Sequence, residues 1–456
     1  MDLAFIRRES ALAGEGLSCK GEGAGGGVSG ADSPRRNQRL DLAGRINSTG
    51  SERKPGSEMP TESWPDYEGR VGHSKAVLHS LQLRNVGPAP AMDLELAPRL
   101  NLITGDNGLG KSFLLDVAWW ALTRKWPQDL NENLTSGYAA RPINVREKAT
   151  IEFSVDTKTR RANYESSYAP SDQSWLGKAG RPMNSGLVIY ALADGEFAVW
   201  DSARNYWKKK GNRDVQERLP AFVFSSKDVW DGLSVAVAGK MVKVCNGLIA
   251  DWASWIRENN ERSELMARVL AVLSDTDSED STDILRPGTG FARLSVSDAR
   301  DIPTVRMGYG QDVPILYASR GVRRMTALAY MLAWAISEHR VASRLIGEEA
   351  SSRIVMLFDE AEAHLHPRWQ RVVVPSILHV AKAISDAPSV SIQLIAATHS
   401  PLVFASLEPL FDAGKDAWFD IDLDPSTVRL RRRDYLCDIK QHLCGISERG
   451  MAHLDH

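Results

Sequence analysis

The segment Leu102–Asp116, LITGDNGLGKSFLLD, constrains the fold of this chain more than any other stretch. An apolar run, RLNLITG, leads into a glycine-rich turn, and a second apolar run follows the turn directly. The spacing of Gly105, Gly110, Lys111 and Ser112 matches the P-loop pattern, in which backbone N–H groups surround a phosphate. A strand, this turn and a helix in that order predict a nucleotide-binding α/β domain.

The residues of the turn have separate expected roles. The backbone amides from Asn107 to Ser112, with Gly108 among them, would surround the β- and γ-phosphates of ATP. Lys111 would neutralise these phosphates, and the Ser112 hydroxyl would bind Mg²⁺. The helix that begins here adds its positive N-terminal dipole to the same site. The motif therefore predicts ATP and Mg²⁺ as ligands, but it leaves the use of the nucleotide open.

Two acidic residues end another apolar run, RIVMLFDE. A continuous apolar run of this length is typical of a strand buried in a parallel sheet. At the tip of such a strand, Asp359 suits the outer sphere of a magnesium ion, and Glu360 suits the base that orients and deprotonates the attacking water. The alternative is a pair of solvated acids that cap the following helix. A P-loop upstream favours the catalytic interpretation.

His399 follows a third apolar run, SIQLIAAT. At the carboxyl edge of a parallel sheet it would face the same crevice as the P-loop, where it could hydrogen-bond the γ-phosphate and sense its loss. Ser400 and Pro401 then suit the N-cap and first position of a helix. His364 and His366 have a spacing that can suggest a metal site, but no further Cys/His cluster is present, so packing at a helix entry is favoured.

Composition limits the classes of protein that this chain can belong to. The formal net charge of −2 gives no global reason to bind nucleic acid or a membrane. The apolar runs are too short to span a membrane, and no signal peptide is evident at the N-terminus. The four cysteines are scattered, which indicates reduced thiols in a cytoplasmic protein: Cys19, Cys245, Cys437 and Cys444.

The remaining chain shows alternating and helical patterns around two polar stretches. Strands are predicted at 76–86, 91–97 and 149–156, a hairpin at 186–201 with Asp194-Gly195 as its turn, and a helical stretch from about Val244 to Leu273. The basic run Lys208–Lys210 and the acidic loop at 274–283 suggest solvated surface. A nucleic-acid contact at the three lysines is the alternative that is less favoured.

Four motifs together resemble a known family: GDNGLGKS, SRGVRR, LFDEAEAHLHPRWQ and ATHSPLV. They are similar to the ABC-type ATPases of the SMC and double-strand-break-repair group. The likeness is greatest to compact prokaryotic relatives, often labelled AAA-family ATPases, which include the ATPase half of overcoming-lysogenization-defect nucleases. It covers about residues 77–411. It implies an α/β fold with a mixed or parallel sheet flanked by helices, and an α+β insertion between the P-loop helix and the signature motif.

The resemblance also implies a composite active site. Ser319 and Gly321 match the signature motif, which would reach the γ-phosphate of ATP bound by a second copy. Two ATP molecules would then hold a homodimer together, and hydrolysis at Glu360 would release it. Arg323 and Arg324 could strengthen this junction, or they could lie on an exposed helical face. A nuclease or another effector protein would be the partner that the dimer gates.

Some residues depart from the family pattern. The signature lacks the double glycine of transporters, Ala361 stands where relatives often carry Pro, and Gln311 is a candidate for the glutamine loop. No sustained heptads are present, so a long coiled coil is not expected. The 57 residues after His399 are too few for a TOPRIM-type nuclease domain. A strand edge is therefore favoured over a metal cluster for the acidic run FDIDLD, which contains Asp420, Asp422 and Asp424.

The predicted organisation has five segments. They are a disordered tail at 1–58 (with Met59 as a possible start), an N-terminal ATPase lobe at 76–126, an insertion at 127–309, a C-terminal ATPase lobe at 310–430 and an irregular tail at 431–456. The leading hypothesis is a Mg²⁺-dependent ATPase that dimerises on ATP and gates a partner in DNA repair or phage defence. The alternatives are a nucleotide-dependent binding switch with little turnover, and a DNA-tethering module that uses Lys208–Lys210.

Overall fold

The computed structural model describes most of the chain after residue 76. The described residues are 77–156, 161–177, 184–205, 218–275, 284–384, 390–424 and 427–433. The segments 1–58, Lys208–Lys210, 276–283 and 434–456, for which tails or surface were predicted, lie outside them. Cys245, the one cysteine among the described residues, is a buried free thiol. None of the helices in these ranges is both long and apolar enough to cross a membrane.

Strands and helices alternate along the chain. The strands are β1 Leu78–Arg84, β2 Ala91–Glu95, β3 Leu100–Gly105, β4 Thr150–Asp156, β5 Arg161–Ala169, β6 Ser174–Leu176, β7 Leu187–Ala191, β8 Phe197–Asp201, β9 Phe222–Phe224, β10 Leu233–Val237, β11 Lys240–Cys245, β12 Arg286–Ala292, β13 Ile302–Arg306, β14 Asp312–Pro314, β15 Arg353–Phe358, β16 Ser391–Ala397, β17 Asp416–Asp424 and β18 Thr427–Arg433. The helices are α1 Lys111–Thr123, α2 Pro127–Leu130, α3 Ser226–Asp231, α4 Leu248–Glu258, α5 Glu261–Ser274, α6 Arg320–Leu345, α7 Pro367–Ile384 and α8 Pro401–Leu407, with 3-10 turns at Ile315–Tyr317 and Glu408–Leu410.

A mixed eight-stranded sheet forms the centre of the fold. Its strand order is β18-β17-β3-β16-β15-β7-β8-β9. The five strands from β17 to β7 are parallel, and antiparallel strands extend the sheet at both ends. The central strands are mostly apolar because helices or a second sheet cover both faces. This is the α/β architecture, with a mixed sheet flanked by helices, that the motifs predict.

The two faces of the central sheet belong to two hydrophobic cores. Alternate residues of β3 illustrate the division, since Leu102 packs with the helical layer of α4 to α7 and Ile103 packs toward α1. Beyond α1 lies a five-stranded antiparallel sheet with the order β2-β1-β4-β5-β6. Helix α1 is therefore enclosed between two sheets, which explains why its sequence is apolar on most sides.

Glycine permits the tight passage from β3 into α1. Gly110 is the N-cap of α1 with φ 98°, and a Cβ atom there would lie 2.5 Å from the Pro88 ring. Gly105 closes β3 at φ 140°, and a Cβ there would lie 2.4 Å from the carbonyl oxygen of Ile421. Both a left-handed backbone and a close approach exclude larger residues at these two positions.

Most predicted elements agree with the structure. The strands near 76–86, 91–97 and 149–156 correspond to β1, β2 and β4, and Asp194-Gly195 lies in the turn between β7 and β8. The helical stretch predicted from about Val244 to Leu273 corresponds to α4 and α5, although residue 244 itself belongs to β11. Asn259 adopts the left-handed conformation at φ 46° and Asn260 caps α5, so the chain turns within the polar run at 257–264.

The acidic run FDIDLD is a strand, as predicted. It lies in β17, one strand in from the sheet edge that β18 forms. Asp420 is 2% exposed and accepts a hydrogen bond from the Thr104 hydroxyl at 3.1 Å, with Arg433 at 3.3 Å. Within the described ranges, no group of three or more His, Cys, Asp or Glu side chains is arranged to hold a metal ion.

Gln393 connects the two sheets. Its Oε1 accepts hydrogen bonds from the backbone N–H groups of Val77 and Leu78, both at 2.9 Å. Its Nε2 donates to the carbonyl oxygens of Leu78 and Ala97 at 2.8 and 2.9 Å. The side chain is 2% exposed, so this buried amide uses its full capacity to join β16 to the segment that contains β1 and β2.

We expect Gln393→Leu to lower the free energy of unfolding by about 2–5 kcal/mol, because four hydrogen bonds to buried backbone groups are lost. Chemical denaturation monitored by circular dichroism measures this change. The control is Gln311→Leu, at an exposed position, which should change stability by less than about 0.5 kcal/mol. Equal stability of the two variants would show that the Gln393 bonds do not hold the sheets together.

Candidate functional site

Three neighbouring strands of the central sheet deliver the predicted site residues to one edge. The order β3-β16-β15 places the P-loop, the loop after Ala397 and the acidic turn after Phe358 side by side. Direct backbone bonds join the three loops. The N–H of Thr398 donates to the carbonyl of Ile103 at 3.0 Å, and the N–H of Ala361 donates to the carbonyl of Ala397 at 3.3 Å. Parallel pairing therefore gathers segments that are almost three hundred residues apart in sequence.

Lys111 lies under the P-loop and closes it. The ammonium donates to the carbonyl oxygens of Gly105 and Asp106 at 2.7 and 2.9 Å, and the residue is 8% exposed. Burial lowers the pKa of Lys111, while the nearby carboxylates of Glu362 and Asp359 oppose that shift. The loop itself, at Asp106 to Gly108, is exposed to solvent. An anion at this surface would therefore meet backbone amides together with a buried cation.

The Ser112 hydroxyl acts on the carboxyl of Asp359. Burial raises the pKa of the Asp359 carboxyl to about 6, although the bond from the Ser112 hydroxyl and the charge of Lys111 lower it. The negative charge of Glu360 adds to the increase. A desolvated carboxylate and a hydroxyl in contact are oxygen ligands of the type that Mg²⁺ prefers. The pair predicted from separate motifs is thus one group in the structure.

Glu360 occupies an unusual backbone turn. Its φ of 44° lies in the left-handed region, and its N–H donates to Asp359 Oδ1 at 3.1 Å. Arg324 of α6 donates to the carbonyl oxygens of Asp359 and Glu360 at 3.3 and 3.0 Å, and to that of Ala193. The guanidinium fixes the turn through its backbone, so the half-buried Glu360 side chain is left to contact other groups.

A second glutamate holds His399. Glu362 is 5% exposed and accepts hydrogen bonds from His399 Nδ1 and from the His399 backbone N–H, both at 2.8 Å. Its other oxygen accepts from the Thr398 hydroxyl at 2.6 Å. The His399 side chain is 46% exposed, so Nε2 is the ring nitrogen left for a ligand. The sequence motif DEAEAH contains Glu362, but nothing in the motif indicates this contact with His399.

Asp116 is a further acid near this group. It follows the P-loop by one helical turn, so it lies on the same face of α1 as Ser112. The hydroxyl of Tyr190 donates to Asp116 Oδ1 at 2.9 Å. Burial raises the pKa of Asp116 to about 8, and the charge of Asp359 contributes to the increase. Nothing in the P-loop pattern indicates this contact, because Tyr190 comes from β7.

The two signature residues contact other parts of the chain. Ser319 is the N-cap of α6, and its hydroxyl accepts from the N–H of Val322 at 3.3 Å. Gly321 is buried, and a Cβ there would lie 3.0 Å from the His364 carbonyl oxygen and 3.3 Å from the Trp369 ring. In the described part of the chain, their contacts are with α6 and the segment after the acidic turn rather than with the P-loop.

The histidines with H-x-H spacing lie at the entry to α7. His366 Nδ1 accepts from the N–H of Arg368 at 3.3 Å, which is a helix-capping contact. His364 has φ 61° and is exposed. Both positions agree with a helix-entry role.

The fold and the P-loop define the class as an α/β domain of the P-loop type. Residues 100–405, which are 306 of the 456 residues, match the family described as "AAA domain, putative AbiEii toxin, Type IV TA system". The chain belongs to this family. The finer likeness to overcoming-lysogenization-defect nucleases stays a prediction.

One curated relative is the "Retron Vc95 probable ATPase" of Vibrio cholerae serotype O1 biovar El Tor. It is 24% identical over 149 residues, which are 33% of this chain and 26% of the relative. The chain therefore matches about a quarter of the length of that protein.

Solved structures with similar folds include heads of SMC proteins. An SMC head bound to the C-winged helix domain of ScpA matches 80% of this chain and 99% of its own, at 12% identity and a TM-score of 0.39. The SMC head domain from Thermotoga maritima covers 78% of this chain and 98% of its own, at 14% identity and a TM-score of 0.37. The recombination mediator protein RecF covers 77% of this chain and 98% of its own, at 13% identity and a TM-score of 0.36. Similarities this weak say nothing about residue roles.

The raised pKa of Asp116 predicts a pH-dependent stability. The folded protein retains a proton on this carboxyl up to about pH 8, whereas the unfolded chain loses it near its ordinary value of 3.8. Stability contributed by this group is thus present at low pH and is lost as the pH rises between these values. Asp116→Asn should raise the Tm by about 2–5 °C at pH 8 and by much less at pH 5.

Thermal melts in buffer without nucleotide or Mg²⁺ measure this difference. The control is Asp172→Asn in the exposed turn between β5 and β6, which should shift the Tm little at either pH. A Tm gain for Asp116→Asn that does not change with pH would contradict the role of the buried charge.

Proposed function

We propose that this protein binds ATP and hydrolyses it with Mg²⁺, and that ATP holds two copies together in a dimer that gates a partner. The observation that carries the proposal is the group formed by Lys111, Ser112, Asp359 and the Glu362–His399 pair at the carboxyl edge of three adjacent parallel strands. The chain also belongs to a family of AAA-type ATPases.

ATP would bind with its β- and γ-phosphates at the P-loop. The amides from Asn107 to Ser112, with Gly108 and Gly110 among them, would donate to the phosphate oxygens. Lys111 is buried directly beneath the turn. Little water would therefore screen the attraction between its charge and a bound phosphate. The positive end of α1 points at the same place.

Ser112 and Asp359 fit a magnesium ion. The Ser112 hydroxyl acts on the Asp359 carboxyl, and desolvation of Asp359 favours a cation that would offset its negative charge. When bound, Mg²⁺ would neutralise charge on the β- and γ-phosphates. Asp116, held by Tyr190, has a pKa raised to about 8 by burial, so it would keep its proton near neutral pH and bring no charge to this helix face.

Glu360 would act as the base for the attacking water. Its backbone is fixed by Arg324, so the side chain can orient a water in line with the γ-phosphate. Glu362 would hold the His399 ring with Nε2 toward that phosphate. A ring protonated on both nitrogens donates to Glu362 and to a phosphate oxygen together.

The signature residues would act across the dimer. Ser319 lies exposed at the start of α6, which is where a phosphate bound by a second copy would meet a hydroxyl and a helix N-terminus. A nuclease or another effector would respond to the dimer, in DNA repair or in defence against phage. A binding switch with little turnover is the alternative, and steady-state phosphate release distinguishes it.

We expect Glu360→Gln to bind ATP normally, to lose at least about 100-fold in phosphate release, and to accumulate as an ATP-bound dimer. Lys111→Ala should not bind ATP. The measurements are equilibrium binding, phosphate release and analytical ultracentrifugation with and without ATP.

Matched controls are Glu132→Gln and Lys125→Ala, both at exposed positions, which should behave as wild type. Full turnover by Glu360→Gln would remove the assigned base. ATP-bound dimers without measurable wild-type turnover would favour the binding switch.

Glu362 and His399 should act as one unit. Each of Glu362→Ala and His399→Ala should lower kcat by a similar factor, and the double variant should lose no more than either single variant, since one residue acts through the other. A double-mutant cycle on kcat tests this, with thermal melts to verify folding. If the double variant lost the product of the two single-variant factors in kcat, the two residues would act independently, and this result would contradict the pairing.

A further inference from the structure

A cavity lies beside the start of α6, apart from the P-loop. Its volume is about 250 Å³. The walls come from the turn between β7 and β8, from α3, from the first turns of α6 and from the segment after the acidic turn. None of the P-loop residues 105–112 lines it. The cavity is therefore a separate surface feature of the same domain.

One wall carries three arginines. Arg320, Arg323 and Arg324 have the i, i+3, i+4 spacing of one helical face, and all three line the cavity. Arg324 is already bonded to three backbone carbonyls. Within the described ranges, Arg320 and Arg323 make no ion pair. Cations at the N-terminus of a long helix are unfavourable, so this wall attracts an anion.

The opposite side offers one carboxylate and a polar hydroxyl. Asp194 lines the cavity, and one of its carboxylate oxygens accepts from the Thr135 hydroxyl at 2.7 Å. Ser226 of α3 also lines it. Three guanidinium groups against one carboxylate leave the cavity with an excess of positive charge at neutral pH.

Apart from Gly195 and His364, the rest of the lining is apolar and aromatic. The Arg323 guanidinium lies 5.9 Å from the centre of the Trp230 ring, and Trp230 is only partly buried. The apolar lining consists of Ala191, Leu192, Phe197, Met325, Ala327, Leu328, Phe358 and Leu365. A flat apolar group could thus pack on Trp230 while an attached anion meets Arg320 and Arg323.

We propose that this cavity binds a nucleoside monophosphate unit, with the phosphate on Arg320 and Arg323 and the base against Trp230. The volume is near the lower end for small-ligand pockets, which suits one nucleotide unit and not a helix or a duplex. The unit can be a free nucleotide or the 5′-phosphorylated end of a single strand, since both present the same chemistry. The site does not depend on the P-loop function proposed above.

Binding of AMP by isothermal titration, and of a 3′-labelled, 5′-phosphorylated deoxythymidine decamer by fluorescence anisotropy, tests the site on the full chain. Wild type and Lys111→Ala should bind the same probe equally well, because the P-loop is not involved. Arg320→Ala/Arg323→Ala should weaken binding at least tenfold, and Arg320→Ala alone should weaken it by a smaller factor.

Arg344→Ala is the matched control, because Arg344 is an exposed arginine at the other end of α6, and it should bind as wild type. Tighter binding of AMP identifies a free nucleotide as the source. A preference for the decamer that is lost without its 5′-phosphate identifies a strand end. Thermal melts verify that the variants fold.

Three outcomes would overturn the proposal. They are no binding of either probe by wild type, binding that disappears in Lys111→Ala, and binding unchanged in the double arginine variant. If the double variant binds both probes normally but no longer dimerises with ATP, the arginines belong to the dimer junction. Failure of ATP binding at the P-loop would leave these results unchanged, so the two proposals fail separately.

Discussion

The candidate site depends on the register of three parallel strands. β3, β16 and β15 pair so that their carboxyl ends align, and each end carries a different kind of group: a glycine-rich anion cradle, an imidazole and a pair of acids. β16 is the middle strand of the three. Near one end of β16, Gln393 holds the antiparallel sheet, and beyond the other end Thr398 and His399 bind Glu362. One strand thus joins the stability of the fold to the geometry of the site.

The electrostatics of the site come from acids kept away from water. Asp116 and Asp359 have raised pKa values because burial disfavours their charged forms. The charge of Asp359 adds to the increase at Asp116, and the charge of Glu360 adds to the increase at Asp359. Lys111 and the Ser112 hydroxyl offset part of the cost of burying the Asp359 charge. The buried Glu362 carboxylate is stabilised by the His399 ring, the His399 backbone N–H and the Thr398 hydroxyl. A surface arranged in this way favours an added cation, which is the physical basis for expecting Mg²⁺ there.

Helix α6 connects two features that the motifs treat separately. Its first residues carry the signature motif, and Arg324 in its second turn holds the backbone of Asp359 and Glu360. A movement of the first turns of α6 would therefore displace the backbone of Glu360, the residue proposed as the base. On the same face, Arg320 and Arg323 line the cavity beside Trp230. The first two turns of α6 therefore carry the signature motif, hold the acidic turn and form one wall of the cavity.

Local pattern was sufficient for much of this protein. Apolar runs next to Gly105–Ser112, Asp359 and His399 identified the strands, the turn chemistry and the residues that meet at the site, because strand burial and phosphate binding leave short-range signals. The helical stretch after Cys245 was also indicated, but the left-handed turn at Asn259 that divides it lies in a polar run without Gly or Pro. Tertiary structure alone decided that β16 lies between β3 and β15, that Glu362 turns inward to His399, that Tyr190 reaches Asp116, and that Arg324 holds the acidic turn. Each of these contacts joins residues from separate elements, and only packing of the whole sheet and its helices brings such residues together.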